Sequence, residues 1–316
     1  MTQQSALEYI RHGQTPFFRL PMVAPGIGSA DIYRGYDVAL LGVPTDAGTT
    51  YQPGARMGPY HLRRTSAMLG AFHPTHHIDV FDRLRAVDGG NVAAPPFSLE
   101  STRRLVELEV AAIVEAEATP FLVGGDHSIS LPALRAVAAK HGPLAVIHID
   151  AHFDTSGPET WGEAFHHGTP IKHALEEGLI SPQGLHQVGM RVSWKDAEER
   201  AVSDAHHAHV YDMELVESHG IRRVASQIRE QIGDQPTYIS FDIDGIDPAF
   251  APGTGTPVPG GLTSREAITL LRLFKGVKLV GMDLVEVAPV LDHADITCHL
   301  GSQLLYEGLT LRALSR

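Results

Sequence analysis

The stretch Leu144-Ala-Val-Ile-His-Ile149, followed at once by Asp150-Ala-His152-Phe-Asp154, decides how this chain is read. Its apolar run has the length and composition of a strand buried in a sheet, and the acids sit at the carboxyl end. Just upstream, residues 121–124 read as another strand and residues 131–140 as the helix between the two. A strand, a helix and a strand in such close succession form the crossover unit of a parallel sheet.

The alternation continues in both directions. Asp37 to Val43 is a first strand, ended by Pro44 and a Gly/Thr-rich loop through Gly58-Pro59, with a helix after Pro59. Val106, Val110 and Ile113 share one helical face, so residues 101–118 are predicted as a helix. Further helices are predicted over 169–178, 221–232, 264–274 and 298–313, and strands over 186–191, 208–212, 237–243 and 278–287. The fold class is therefore α/β, a three-layer αβα arrangement around a mostly parallel sheet. Residues 1–35, with Pro16, Pro21, Pro25 and Gly26, read as an irregular N-terminal arm, and residues 36–316 as one domain.

Composition narrows the function. The chain has 316 residues and a formal net charge of −12, from 37 acids against 25 basic residues. That balance argues against a nucleic-acid partner, which needs a basic surface, and suits cations. No segment approaches a membrane span, and the N-terminus lacks a basic start followed by an apolar run. A single cysteine, Cys298, excludes an intrachain disulfide framework and fits a reducing, cytoplasmic setting. Its place at the start of an apolar helix favours core packing over a nucleophile.

Acid-rich strings at strand ends carry the chemistry. Besides Asp150, His152 and Asp154, Asp242-Ile-Asp244-Gly-Ile-Asp247-Pro follows the predicted strand 237–241, and His127 lies just after Phe121-Leu-Val123. Ligands of open α/β sheets bind outside the carboxyl ends of the strands, which gathers these residues at one edge. Extended geometry would place 150, 152 and 154 on one side, and likewise 242 and 244. Bare carboxylates cannot be buried unpaired, so the expectation is a binuclear metal site of His127, Asp150, His152, Asp154, Asp242 and Asp244. Four carboxylates match two divalent cations. Oxygen ligands with a minority of imidazole favour Mn²⁺, with Ni²⁺, Co²⁺ or Zn²⁺ also fitting. Such a pair lowers the pKa of a shared water and suits hydrolysis of an unreactive carbon. Asp126, Asp247 and Asp283 are read as caps or supports, and the loop histidines His73, His76, His77, His206, His207 and His209 as solvated.

Gly124-Gly-Asp-His-Ser128, Asp150-Ala-His-Phe-Asp154 and Ser240-Phe-Asp-Ile-Asp-Gly-Ile-Asp-Pro248 resemble the three signatures of the ureohydrolases, the arginase and agmatinase enzymes. The likeness extends through Pro252-Gly-Thr-Gly-Thr-Pro257 and Asp283-Leu-Val-Glu-Val-Ala-Pro289, and upstream to Gly42-Val-Pro44 and Gly54-Ala-Arg56-Met-Gly-Pro59. It covers most of residues 36–313 and looks closest to the agmatinase branch. The resemblance implies one metal held by His127, Asp150, Asp154 and Asp242 and another by Asp150, His152, Asp242 and Asp244. It also implies that Glu286 pairs with the substrate guanidinium and that His167 shuttles protons. Phe153 and Trp161 are candidate substrate contacts. The products would be urea and an amine, and the assembly a homotrimer or hexamer.

The tail of the substrate is read from departures. Arginases read an α-amino acid head through an Asn shortly after the second motif, where this chain has Thr155-Ser156-Gly157-Pro158. Gln52 stands where many relatives carry Arg, Thr45 replaces a bulkier residue and Phe153 a small one. The missing Asn disfavours arginine, and Gln52, which leaves no fixed cation for a carboxylate tail, points to agmatine. Phe153 and Trp161 could instead narrow the pocket for a short or apolar substrate, and 4-guanidinobutyrate, 3-guanidinopropionate or another small guanidine are the alternatives. The rival functions are a single-zinc deacetylase-like hydrolase, which would not need Asp154 and Asp244, and a non-catalytic family member, against which every proposed ligand is present.

Overall fold

The described residues contain ten strands: β1 Val38–Val43, β2 Phe72–His73, β3 Ile78–Asp79, β4 Ala86–Asn91, β5 Thr119–Gly124, β6 Leu144–Ile149, β7 Ile180–Val188, β8 His209–Tyr211, β9 Thr237–Asp242 and β10 Leu279–Val285. The computed structural model describes residues 15–23, 27–192 and 196–315. β2 and β3 form a small antiparallel pair, and the remaining eight make one sheet in the order β4-β1-β5-β10-β9-β6-β7-β8. Every pairing in that sheet is parallel.

The strand sequences explain the layers. β1, β5, β6, β9 and β10 are buried at every position, which is why they read as unbroken apolar runs rather than as alternation. Their side chains nevertheless alternate in direction. Leu40, Phe121 and Ile147 join one core cluster, with Ile228, Leu270 and Leu304 from the helices. Leu41, Leu122 and Val146 join the opposite one, with Val110, Ile113 and Leu134. The sheet is thus covered by helices on both faces, as the α/β reading requires.

The crossover helices are written in their periods. Helix Ile221–Ile232 buries Ile221, Val224, Ala225, Ile228 and Ile232 along one stripe. Helix Ser264–Leu273 begins with a reciprocal capping box between Thr263 and Glu266. The C-terminal helix, Ile296–Leu314, is buried along most of its length because it lies against both the sheet and helix Gly58–Ser66. Among the described residues, no helix is long and apolar enough to cross a membrane.

Several elements escaped the periodicity. β4 reads Ala-Val-Asp-Gly-Gly-Asn, poor strand material by propensity. Tertiary contacts hold it. Buried Asp88 accepts hydrogen bonds from Arg63 Nε at 2.8 Å and Nη2 at 2.9 Å, and from Phe17 N at 2.9 Å. Helices Asp196–Ala205 and Met213–His219 were also unforeseen, and β7 starts six residues earlier than expected, through Ser181-Pro182-Gln183. β10 stops at Val285, short of the expected 287, because Glu286 takes a positive φ of 62°. In the arm, Phe17 and Phe18 are fully buried in the core. Residues 1–14 and 24–26, including Pro25 and Gly26, lie outside the described residues.

Candidate metal and hydrolytic centre

The site forms where four adjacent strands end. In space the order is β5-β10-β9-β6, so residues from distant parts of the chain become neighbours. Val285 pairs with Asp242 across β10 and β9, and Ile149 pairs with Phe241 across β6 and β9. Asp150 and Asp242, each one residue further on, therefore emerge at the same level.

Tight turns, not continued strands, bring the rest inward. β6 ends at Ile149, and Asp150 Oδ1 accepts the His152 amide at 2.7 Å. Asp242 Oδ1 likewise accepts the Asp244 amide at 2.8 Å and opens the short 3-10 turn Ile243–Gly245. Asp154 sits at a φ of 56°, a conformation costly for a non-glycine residue. The expectation that strand alternation aligns these side chains is corrected here, because the backbone turns as soon as it leaves the sheet.

His127 lies at the centre. Its Nδ1 is 3.1 Å from Asp150 Oδ2, 2.8 Å from Asp154 Oδ2 and 3.2 Å from Asp242 Oδ2. Its Nε2 lies 2.8 Å from Ser240 Oγ, whose hydroxyl reaches Asp283 Oδ1 at 2.8 Å. Asp283 also accepts from the Tyr238 hydroxyl at 2.8 Å. A carboxylate only accepts, so Ser240 donates to Asp283 and itself accepts from His127 Nε2–H. That leaves the Nδ1 lone pair aimed at carboxylate oxygens, and neither Nδ1 nor Asp154 Oδ2 has a hydrogen-bond partner. The second group is Asp150, His152 and Asp244, with His152 Nδ1 3.3 Å from Asp150 Oδ1 and 3.1 Å from Asp244 Oδ2.

Electrostatics make positive charge necessary. Asp150, Asp154, Asp242 and Asp244 are all at most 5% exposed. Among the described residues only histidines lie within ion-pair distance of them. Burial, then Asp244 and Asp150, push the Asp242 carboxyl well above its usual range, and burial also raises Asp244. Burial works against protonation of His127, yet Asp154, Asp150 and Asp242 lift its pKa well above normal. Nδ1 thus attracts positive charge, whether a proton or a metal ion. The donor set fits divalent cations: His127, Asp150 and Asp154 gather in one group, Asp150, His152 and Asp244 in another, and Asp242 meets the first through His127 Nδ1.

A cavity of about 350 Å³ opens onto this cluster, lined by His127, His152, Asp154, Asp242 and Asp244 at its base. Its walls include His167, His166, Trp161, Tyr51, Thr50, Ser156 and Glu199. His167 Nδ1 is 2.8 Å from Glu286 Oε1, and its Nε2 is 2.7 Å from Thr50 Oγ1. Burial lowers the pKa of His167, but Glu286 and then Asp126 raise it to about 9. Glu286 is 1% exposed and lies behind His167, where its Oε1 also accepts the His127 amide at 2.9 Å. His166 is held at about 4, mainly by burial and by His167 beside it.

Other expectations meet the structure less directly. Trp161 lines the mouth and is 51% exposed, whereas Phe153 is 2% exposed and packs behind the site, its carbonyl bonded to Gln187. Thr45 and Gln52 are not among the residues lining the cavity. Arg56 is committed to Asp46. Asp126 caps the turn of His127 by accepting the Ser128 amide, and Asp247 accepts the Gly260 and Gly261 amides. His73, expected to be solvated, is fully buried and 2.9 Å from Glu307 of the C-terminal helix. Cys298 is fully buried, and burial pushes its thiol pKa up, as core packing predicts. Glu199, Tyr51 and Thr50 were not foreseen, since nothing local marks a residue whose role is to face a cavity built elsewhere.

The sequence model of the arginase family matches residues 36–310. Proclavaminate amidinohydrolase from Streptomyces clavuligerus is 41% identical, over 94% of this chain and 94% of its own. Its solved structure superposes with a TM-score of 0.88 at 40% identity, covering 97% of this chain and 99% of that one. Mitochondrial agmatinase from Gallus gallus is 41% identical, over 87% of this chain and 81% of its own. Guanidinobutyrase from Pseudomonas aeruginosa is 39% identical, over 91% and 90%.

Proposed function

This chain belongs to the arginase family and is a hydrolase of guanidino compounds, and we propose that its substrate is agmatine, cleaved to urea and putrescine. The observation that carries the chemistry is His127 Nδ1 facing Asp150, Asp154 and Asp242 at 2.8–3.2 Å with no lysine or arginine paired to these acids among the described residues. His127, Asp150, Asp154 and Asp242 would hold one divalent cation, and Asp150, His152, Asp242 and Asp244 a second, with Mn²⁺ preferred over Ni²⁺ or Co²⁺. When bound, such a pair supplies Lewis acidity and lowers the pKa of a water close to the guanidinium carbon.

The protein's own groups do the rest. The acids at the closed end, with Glu286 behind them, make that end complementary to a guanidinium. Water oxygen adds to the central carbon, the bond from that carbon to the alkyl-bearing nitrogen breaks, and the amine leaves with a proton. His167 lines the cavity and holds a proton through Glu286, so it is placed to supply that one. Glu286 thereby acts first by orienting His167.

The tail reading rests on the mouth. Glu199 lines the cavity and accepts from Ser156 Oγ, while no described lining residue is a lysine or arginine. A carboxylate there favours an ammonium tail over a carboxylate one. The exposed rings of Tyr51 and Trp161, 69% and 51% exposed, offer apolar flanks to the methylene chain between the two charged ends. The test is urea release from agmatine, arginine, 4-guanidinobutyrate, 3-guanidinopropionate and proclavaminate, with Mn²⁺, Ni²⁺ or Co²⁺ supplied. Agmatine should give the highest kcat/KM and about two ions should bind per chain. Preference for a guanidino acid or for proclavaminate would overturn the tail reading. One ion per chain would overturn the two-cation reading.

A further inference from the structure

A buried polar chain runs outward from Asp150 and has no part in the roles above. His148, on β6, places Nε2 2.9 Å from Asp150 Oδ2. Its other ring nitrogen, Nδ1, lies 3.2 Å from Gln187 Nε2 on β7. Gln187 Nε2 also donates to the Phe153 carbonyl at 3.0 Å, and Gln187 Oε1 accepts from Ser203 Oγ at 2.7 Å. Ser203 lies on helix Asp196–Ala205, the helix whose Glu199 lines the cavity. His148, Gln187 and Ser203 are all fully buried. At such depth a polar chain is stable only when each donor meets an acceptor.

Donor accounting fixes every proton in it. The Phe153 carbonyl only accepts, so the nitrogen of the Gln187 amide, and not its oxygen, must face it. That orientation directs the second amide proton at His148 Nδ1, which therefore accepts. The His148 ring proton is then on Nε2 and points at Asp150. His148 lies close enough to His127, Asp150 and Asp154 for all their donor atoms to fall within 4.8 Å of one another. A ring nitrogen that carries its proton, however, has no lone pair to give a metal ion.

We infer that His148 is a positioning residue rather than a ligand: the Ser203–Gln187–His148 chain holds its Nε2–H toward Asp150, pins that carboxylate in one orientation, and ties it to the helix carrying Glu199. One consequence, tighter metal binding, rests on the two-cation reading of the site. The tautomer does not.

Two measurements test it. In the metal-free wild-type chain, ¹⁵N NMR of the imidazole nitrogens should show the His148 proton on Nε2, and a proton on Nδ1 would overturn the inference. In Gln187→Glu, an acceptor replaces the donor and the proton should move to Nδ1. Mn²⁺ titration is then compared for wild type, His148→Leu, Gln187→Glu and His148→Gln, each first shown to melt cooperatively without metal. Loss of an outer hydrogen bond to a ligand costs about 10–100-fold in metal affinity, which is the weakening expected for His148→Leu and Gln187→Glu. His148→Gln keeps an N–H donor and should stay within a few-fold of wild type. Wild-type affinity in folded His148→Leu would overturn the inference, as would loss of one bound ion in His148→Gln. If the variants do not fold, the wild-type tautomer decides alone. Should no guanidino compound be hydrolysed while the tautomer and the Mn²⁺ pattern hold, the proposed function fails and this inference survives.

Discussion

Cancelling the charge of Glu286 while keeping its shape should release His167 from its raised pKa. Glu286 Oε1 lies 2.8 Å from His167 Nδ1 and 2.9 Å from the His127 amide. Burial alone would depress the imidazole, yet Glu286, helped by Asp126 and Asp154, lifts it to about 9. Glu286→Gln leaves an oxygen acceptor in place and removes the leading opposing charge. His167 should then titrate about two units lower, roughly 3 kcal/mol of lost preference for the imidazolium. The sign follows from linkage. In wild type the raised pKa stabilises the metal-free fold fully below the unfolded value of about 6.5, and that stabilisation is lost as pH rises through about 9. The variant should lack that window. Histidine NMR titration of the metal-free protein, with thermal melts between about pH 6 and pH 10, reads both effects. His167 still titrating near 9 in the variant, or melts with unchanged pH dependence, would refute the reasoning.

Further outcomes follow from other contacts. Asp242→Ala removes a carboxylate placed in both proposed cation sites, so metal content and turnover should both collapse; near-normal values by metal analysis and urea assay would remove Asp242 from the ligand set. Adding a methyl at Gly125 places it 2.3 Å from the Thr45 carbonyl and 2.7 Å from that of Val43. Gly125→Ala should therefore destabilise by about 1–3 kcal/mol in urea unfolding, and a silent substitution would contradict the close approach. His186 is fully buried, stacks on His209 at 4.9 Å, and is held at about 3 chiefly by burial. Its depressed pKa means that the unfolded chain binds the proton first, so stability falls as pH drops from about 6.5 toward 3. His186→Phe should flatten that loss by about 1.4 kcal/mol per pH unit, and an unchanged slope in denaturant titrations would exclude the residue as its source.

Much of the fold was legible because burial on both faces leaves a mark on composition. β5, β6, β9 and β10 were readable as apolar runs, and the acids after them as misfits needing a partner. β4 was not, because Asp88, Gly89, Gly90 and Asn91 make a strand only once Arg63 and Phe17 are in place. His148 and Ser240 were equally hidden, since each lies within a strand that otherwise reads as apolar.

The residue types at the ends of the strands, and hence the kind of chemistry this protein can perform, are properties of the linear chain. Their arrangement is not. In the chain β5 and β6 are consecutive, but in the sheet β10 and β9 lie between them, so the strand ends leading to Glu286 and Asp242 stand between those leading to His127 and Asp150. Strand order, the turns that redirect Asp154 and Asp244, and the seating of Glu199 opposite Ser156 all depend on contacts between segments tens of residues apart. Local propensity carries no record of such contacts, because their free energy exists only after the layers have packed.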